Sequence, residues 1–324
     1  MSLNGKVILI TGGTGSFGQK FVEIVLSRYK PKKLIVFSRD ELKQFEMQRK
    51  FDHHCLRYFI GDVRDKDRLH RAFHGVDIVV HAAALKQIPA LEYNPFEAVK
   101  TNILGAENII NVAIDNNVKR VLALSSDKAA NPVNLYGATK LCADKLFIAG
   151  NFYSGETKTK FSVVRYGNVF NSRGSVVPFF KQEARKGVVP ITDPRMTRFW
   201  ITREGGVKFL LQCLKLMRGQ EIFIPKLPSM KISDLALAVA PGCKHKIVGI
   251  RPGEKLHEVL VPEDESHNTF ESKQMYVILS AFGSQGRKRH YPNFKKVQDG
   301  FSYASDKNKN WLTVKDIKTV LQEQ

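Results

Sequence analysis

Two short clusters in this chain hold residue types able to move protons. Tyr136 and Lys140 stand four apart in N-L-Y-G-A-T-K, and Ser125-Ser126-Asp127-Lys128 lies just upstream. A phenol one helical turn from an ammonium shares a helix face with it, and the positive charge favours the phenolate. A carboxyl group beside a lysine offers a proton donor and a proton acceptor in one place. These groups suit proton transfer beside a hydride-accepting cofactor.

A third stretch shows what would accept the hydride. Thr11-Gly-Gly-Thr-Gly-Ser-Phe-Gly18 follows a short apolar run and opens a helical pattern. Gly12, Gly15 and Gly18 are spaced for a tight turn that brings backbone close to a pyrophosphate, with a helix N-terminus facing the anion. Thr14, Ser16 and Phe17 share that turn, and Tyr-x-x-x-Lys is a common neighbour of nicotinamide. The second strand ends at Phe37-Ser38-Arg39-Asp40. Ser38 and Arg39 suit the 2′-phosphate of NADP, Asp40 keeps NAD possible, and Leu42 and Lys43 follow. Asp62 and Val63 of Gly61-Asp-Val63 are placed to reach the adenine. His81-Ala-Ala-Ala84, with Ala82, leaves room for the cofactor, and Lys86 follows just past that strand.

The elements that must position these groups read as α/β. Strands are expected at Val7–Thr11, Leu34–Phe37, Tyr58–Ile60, Ile78–His81, Arg120–Leu124 and Phe161–Arg165, alternating with helices. The longest helix is expected to run unbroken from Pro95 to Asn116. After Gly167 turn signals multiply, and further helices are expected near Val176–Lys186, Arg203–Leu216, Lys255–Leu260 and Thr313–Leu321. Asp264–Ser272 reads as a surface loop, and Phe282 to Asn310 is the least legible stretch. The expectation is a doubly wound parallel sheet, a Rossmann domain over 1–167, with a smaller substrate-binding lobe over 168–324. Some segments of that lobe return to the sheet.

Composition limits the alternatives. The chain has 324 residues, 43% hydrophobic and 25% charged, as in an ordinary globular protein. No apolar run approaches the roughly 18–20 residues of a membrane span. The four cysteines, Cys55, Cys142, Cys213 and Cys243, have no metal-ligand spacing, so no metal is expected and the setting reads as reducing and cytoplasmic. The net charge of +20 raises nucleic acid as a partner. The basic residues are dispersed, however, and the densest patch, Gly286–His290, has no nucleic-acid module around it.

With these motifs in order, the chain resembles the extended short-chain dehydrogenase/reductases: TGGTGSFG, then GDV, HAAA and YGATK. Ala84–Pro89, Glu92–Pro95, Lys100–Asn102, Ser126–Lys128, Tyr166–Val169 and Arg251–Lys255 resemble the UDP-N-acetylglucosamine 4,6-dehydratases. More specifically, they resemble the soluble, C5-inverting enzymes that begin pseudaminic acid synthesis for flagellin glycosylation. The dTDP-glucose dehydratases carry Asp-Glu where this chain has Asp127-Lys128.

The resemblance implies a role for each residue. Tyr136 would take the C4 hydroxyl proton, and Lys140 would lower the tyrosine pKa and hold the nicotinamide ribose. Ser126 would bond the C4 oxygen. Lys128, with its pKa lowered toward neutrality, would be the C5 base, and Asp127 would protonate, directly or through Lys128, the departing C6 hydroxyl. Lys86, Asn168, Val169, Arg173, Val177, Thr197, Arg198, Arg251 and Glu254 would bind the nucleotide sugar. A homo-oligomer is implied.

Rival readings are a nucleotide-sugar 4- or 5-epimerase, which does not need the Asp-Lys pair, and a retaining dehydratase, associated with an N-terminal membrane region. A non-catalytic cofactor- or RNA-binding module would have no need of the intact Tyr136, Lys140, Asp127 and Lys128.

Overall fold

A computed structural model describes residues 2–172, 174–281 and 291–322. Its centre is a parallel sheet built from β1 (Val7–Thr11), β2 (Lys33–Ser38), β3 (Leu56–Ile60), β4 (Ile78–His81), β5 (Arg120–Ser126) and β6 (Lys160–Tyr166). The order is β3-β2-β1-β4-β5-β6, and the strand Glu221–Pro225 continues it in parallel beyond β6. β1 is buried along its whole length, as a strand covered by helices on both faces must be. Order reverses between β1 and β4, the point where such sheets open a crevice at their carboxyl ends.

Three antiparallel strands extend the same sheet: Met275–Leu279, Thr269–Glu271 and Lys295–Lys296. Residues from both halves of the chain therefore share one main core. A second core, around Phe170, Phe180, Trp200, Met230, Leu235 and Ile317, supports the residues that roof the crevice.

Three expected elements differ. The Pro95–Asn116 helix is interrupted: α-helix over Pro95–Ala98, a π-helical segment over Val99–Leu104, then α-helix over Gly105–Asp115. The wider turn brings Asn102 inward, where its amide accepts from Leu85 N at 2.9 Å and donates to Leu85 O at 2.9 Å and Thr139 Oγ1 at 3.0 Å. Such segments often mark functional sites.

Lys255–Leu260 is not a helix but a turn leading into the strand Val259–Val261, which pairs with Tyr303–Ala304. The expected loop at Asp264–Ser272 is instead a 3-10 turn, Glu263–Asn268, followed by a strand of the main sheet. Polarity misleads there because Glu265 faces inward, 2.7 Å from the fully buried Arg165. Arg165 also meets Asp144 at 3.4 Å, so the charges are paired inside rather than solvated. The basic patch Gly286–His290 lies outside the described residues.

Candidate active site

The cradle for a dinucleotide is built mostly from backbone. Gly15 caps the helix Ser16–Arg28 without a side-chain hydrogen bond, and no acidic residue stands in the first turn. The first amide N–H groups thus face outward, positively polarised, ready for an anion. A Cβ on Gly18 would fall on the carbonyl oxygen of Gly13, so only glycine lets helix and turn approach this closely. Gly12 begins this turn, and Thr14 Oγ1 and Ser38 Oγ are 2.8 Å apart, tying the turn to the end of β2. Phe17 stacks on Tyr166 and Ser16 sits at the helix start.

Around the far end of the cradle, Asp40 caps the helix Glu41–Lys50 by accepting from Lys43 N at 3.0 Å and pairs with the Lys43 ammonium. Leu42 is exposed beside it. Arg39 Nη1 lies 3.5 Å from Asp62, which Arg64 also holds at 2.8 Å. Burial pushes the Asp62 carboxyl up, but the hydrogen bonds and charges of Arg64, with Arg39, outweigh it and leave the pKa below the usual range. The side chain of Val63 is part of the main core, which leaves its backbone as the part that could face an adenine.

Ala82 N donates to Thr11 Oγ1 at 3.2 Å, and Thr11 Oγ1 lies 2.8 Å from Nδ1 of the buried His81. Open amides, a glycine that cannot grow and small residues over β4 fit a dinucleotide. Among the described residues no group of side chains could hold a metal ion.

The proton-handling cluster is built from side chains. β5 ends at Ser126, whose hydroxyl donates to Asp127 Oδ1 at 2.8 Å and accepts from Lys128 N at 3.3 Å, closing a 3-10 turn. Lys128 Nζ donates to the same Asp127 Oδ1 at 3.0 Å. Asn134 caps the helix Leu135–Tyr153, accepting from Gly137 N at 2.7 Å, and this helix carries Tyr136 and Lys140. A Cβ on Gly137 would fall on the carbonyl oxygen of Lys128, so that glycine sets how near Tyr136 comes to the Asp-Lys turn.

The charges differ from the sequence expectation in two respects. Burial pushes the Tyr136 phenol up to about 12, and the groups pulling it down are the Lys128 ammonium and a hydrogen bond to Ser126, rather than Lys140. Lys140 Nζ donates instead to Leu124 O at 2.6 Å; its pKa is lowered by burial despite the pull of Asp144. Lys128, expected to fall toward neutrality, is held above the usual lysine range. Burial and Arg198 push it down, but the carboxylates of Asp127 and Glu258 outweigh them.

Glu258 escaped the sequence reading. It is 2% exposed, and its carboxylate lies 3.2 Å from Lys128 Nζ, 3.6 Å from Arg198 Nε and 3.8 Å from Lys255 Nζ. Nothing local marks it, since an acid ahead of a short strand looks like a surface residue.

A cavity of about 560 Å³ opens above this cluster, walled by Lys128, Asn168, Arg198, Arg251, Glu254 and Glu258 among others. The carbonyl oxygen of the Asn168 amide is buried with no partner among the described residues, on the wall of the cavity where a ligand donor would sit. Val169 pairs with Ile201 in a short strand beside it. Arg251 is exposed and near Glu254. Arg198 is buried and already donates to the carbonyls of Thr197, Leu256 and Lys255.

Other expected substrate residues do not reach the cavity by side chain. Val177 is fully buried in the second core. Thr197 Oγ1 meets His257 Nδ1 at 2.8 Å and Ser305 Oγ at 2.7 Å, behind Glu258. Arg173 lies outside the described residues. Lys86 reaches the cluster electrostatically: desolvation and the charge of Lys128 push its pKa down.

A doubly wound sheet with a glycine cradle at its reversal point, beside Tyr136, Lys140 and a Ser-Asp turn, defines an extended short-chain dehydrogenase/reductase. Within that class the chain belongs to the family described as polysaccharide biosynthesis protein, whose model matches residues 8–280. It is 55% identical to the UDP-N-acetylglucosamine 4,6-dehydratase (inverting) of Campylobacter jejuni strain 81-176, over 98% of each chain. It is 40% identical to a UDP-glucose 4-epimerase of Rickettsia typhi, over 98% of this chain and 95% of that one. The crystal structure of Pen from Bacillus thuringiensis superimposes with a TM-score of 0.92 at 38% identity, covering 100% of this chain and 99% of that one.

Proposed function

We propose that the protein is a hydro-lyase that removes water across C4–C6 of UDP-N-acetylglucosamine, with inversion at C5. The observation that carries this reading is Lys128 Nζ, 3.0 Å from Asp127 on the cavity wall beside Tyr136. An epimerase has no use for that pair, and the 55% identical relative bears the name of this activity.

The cofactor would lie along Gly12–Gly18, Ser38–Asp40 and Ala82, with Lys140 at its nicotinamide end. Bound there, nicotinamide supplies the hydride acceptor for C4 and the hydride donor for C6. Ser38 and Arg39 favour the 2′-phosphate of NADP.

Tyr136, once ionised with the help of the Lys128 charge, accepts the C4 hydroxyl proton, with Ser126 bonded to that oxygen. The resulting ketone acidifies the C5 proton, which Lys128 takes once it is neutral. The proton that Lys128 has taken passes through Asp127 to the C6 hydroxyl as the C6–O bond breaks and water leaves. A proton delivered to the opposite face of C5 inverts the centre. Asn168 and Arg251 hold the diphosphate end, where a guanidinium fork suits phosphate oxygens.

Further parts of the reading concern context. A place in pseudaminic acid synthesis for flagellin glycosylation follows from the motif resemblance. A cytoplasmic setting agrees with the lack, among the described residues, of a helix long and apolar enough to cross a membrane. A homo-oligomer agrees with the exposed Tyr93, Phe96 and Leu104 on and beside the interrupted helix.

The test is proton NMR of UDP-N-acetylglucosamine incubated with protein and catalytic NADP in D2O. The expected product is a 4-keto-6-deoxy sugar, deuterated at C5, with L-arabino couplings. Retained configuration at C5 would make it a retaining dehydratase. A C4 epimer would favour the activity named for the Rickettsia relative.

A further inference from the structure

The glycine motif, the Tyr-Lys pair and the Asp-Lys pair leave the buried Glu258, in contact with Lys128, without a role. Glu258 stands across from Asp127, with the Lys128 ammonium between them at 3.0 and 3.2 Å. It comes from the roof of the crevice, whereas Asp127 comes from the floor. Its backbone is clamped: Glu258 N donates to Ser305 Oγ at 2.9 Å, and Ser305 N donates to Glu258 O at 2.8 Å. Ser305 is fully buried and leans on Thr197. One carboxylate oxygen, Oε2, is buried with no hydrogen-bond partner among the described residues. A buried carboxylate so placed costs free energy unless the cations around it compensate, and that cost suggests a function beyond packing.

We propose that Glu258 is a positioning residue for Lys128: it pins the ammonium over Asp127 and sets the pH at which Lys128 becomes a base. The proposal rests on the reading of Lys128 as the C5 base. The charged and titratable groups facing Lys128 come from five places. Asp127 lies on its own turn and Tyr136 on the following helix. Lys86 follows β4, and Arg198 is on the strand Thr197–Ile201. Lys255 and Glu258 are on the segment before Val259.

Asp127 and Glu258 favour the charged lysine, while Arg198, Lys255, Lys86 and burial oppose it. Without the charge of Glu258, three cations and burial face Asp127 alone, and the ammonium loses its proton at lower pH. That proton leaves to solvent in the cavity, and the free amine then accepts the C5 proton. Because Glu258 also touches Arg198 and Lys255, a diphosphate that draws on those cations alters the hold of Glu258 on Lys128. Substrate binding and readiness of the base are thereby coupled.

The experiment measures deuterium wash-in at C5 under single-turnover conditions against pH, for the wild type, Glu258→Gln and Glu258→Asp. The limb on which the rate rises with pH should move down by about one unit or more in Glu258→Gln. In Glu258→Asp, which keeps the charge but withdraws it by one methylene, the same limb should move by less. An unmoved limb in Glu258→Gln, with the rate merely lower at every pH, would assign Glu258 a structural role and overturn the proposal. If Glu258→Gln does not fold, the Asp variant decides in the same way, and an unmoved limb again overturns it. Titration of the Lys128 Cε shift in 13C-lysine protein, free of substrate, should report the same downward shift. Failure of the dehydratase reading would look different: the wild type itself would form no keto sugar.

Discussion

The two halves of the site are made differently. The phosphate turn of the cofactor cradle is a piece of local chain: a strand, a glycine turn and a helix within residues 7–28. The reaction centre is an ionic cluster assembled from β5, the Leu135–Tyr153 helix, the strand Thr197–Ile201 and the segment before Val259. Backbone amides act as fixed dipoles whose polarity hardly responds to neighbours. Buried side chains, by contrast, take their protonation from whatever charges the fold brings near. A binding site can therefore be specified by a motif, whereas a set of working pKa values requires the assembled structure.

The largest effect that would separate the halves is chemical. Lys128→Met should lose about 10³-fold in keto-sugar formation, within the range for removing a general base, while cofactor binding by equilibrium dialysis stays unchanged. Comparable loss of both would mean that cradle and cluster are not separable.

Next come the two glycines that allow close approach, one in each half. Gly18→Ala and Gly137→Ala should each cost about 2–3 kcal/mol in urea unfolding, because the new methyl meets backbone rather than a flexible side chain. Gly18→Ala should weaken cofactor binding first. Gly137→Ala should first lower turnover, by separating Tyr136 from the Asp-Lys turn. Identical patterns in both variants would blur the distinction.

His81 joins the halves from beneath. It is fully buried and neutral, with its pKa pushed down from 6.5 to about 3 by burial and by the charge of Lys140. A histidine depressed in the fold contributes stability that is complete above about pH 6.5 and is lost as pH falls toward about 3. By about pH 5 the loss should reach about 2 kcal/mol, and His81→Gln should flatten that part of the profile. An unaltered slope in the variant would place the acid sensitivity elsewhere.

The smallest effect tests the rim of the cradle. Arg39→Ala should weaken NADP about tenfold more than NAD, because the exposed Arg39 already shares its charge with Asp62. Equal losses for the two cofactors would remove Arg39 from the 2′-phosphate site.

Legibility follows the same division. Strands β1 to β6 were readable to within two residues at each end, since β-branched runs buried on both faces leave a plain pattern. The helix Arg203–Leu216 was readable end to end. The π-helical interruption at Asn102 was not, because its cause is the Leu85 backbone and Thr139, which lie far away in sequence. The strand Thr269–Glu271 was hidden by polar residues whose neighbour Glu265 answers a buried arginine on β6.

By itself, the sequence determined the glycine turn between β1 and the first helix, and it set Asp127 and Lys128 just past β5 with Tyr136 and Lys140 on the helix that follows. Each depends on chemistry within about one turn of chain. Only the tertiary structure decided the electrical state of those groups. It turned Lys140 to the Leu124 carbonyl and made Lys128 the cation that acts on Tyr136. It also brought Glu258 from 130 positions away in the chain to within 3.2 Å of the Lys128 ammonium. Coulombic interaction depends on distance and burial in space, and neither is written in the spacing of residues along a chain.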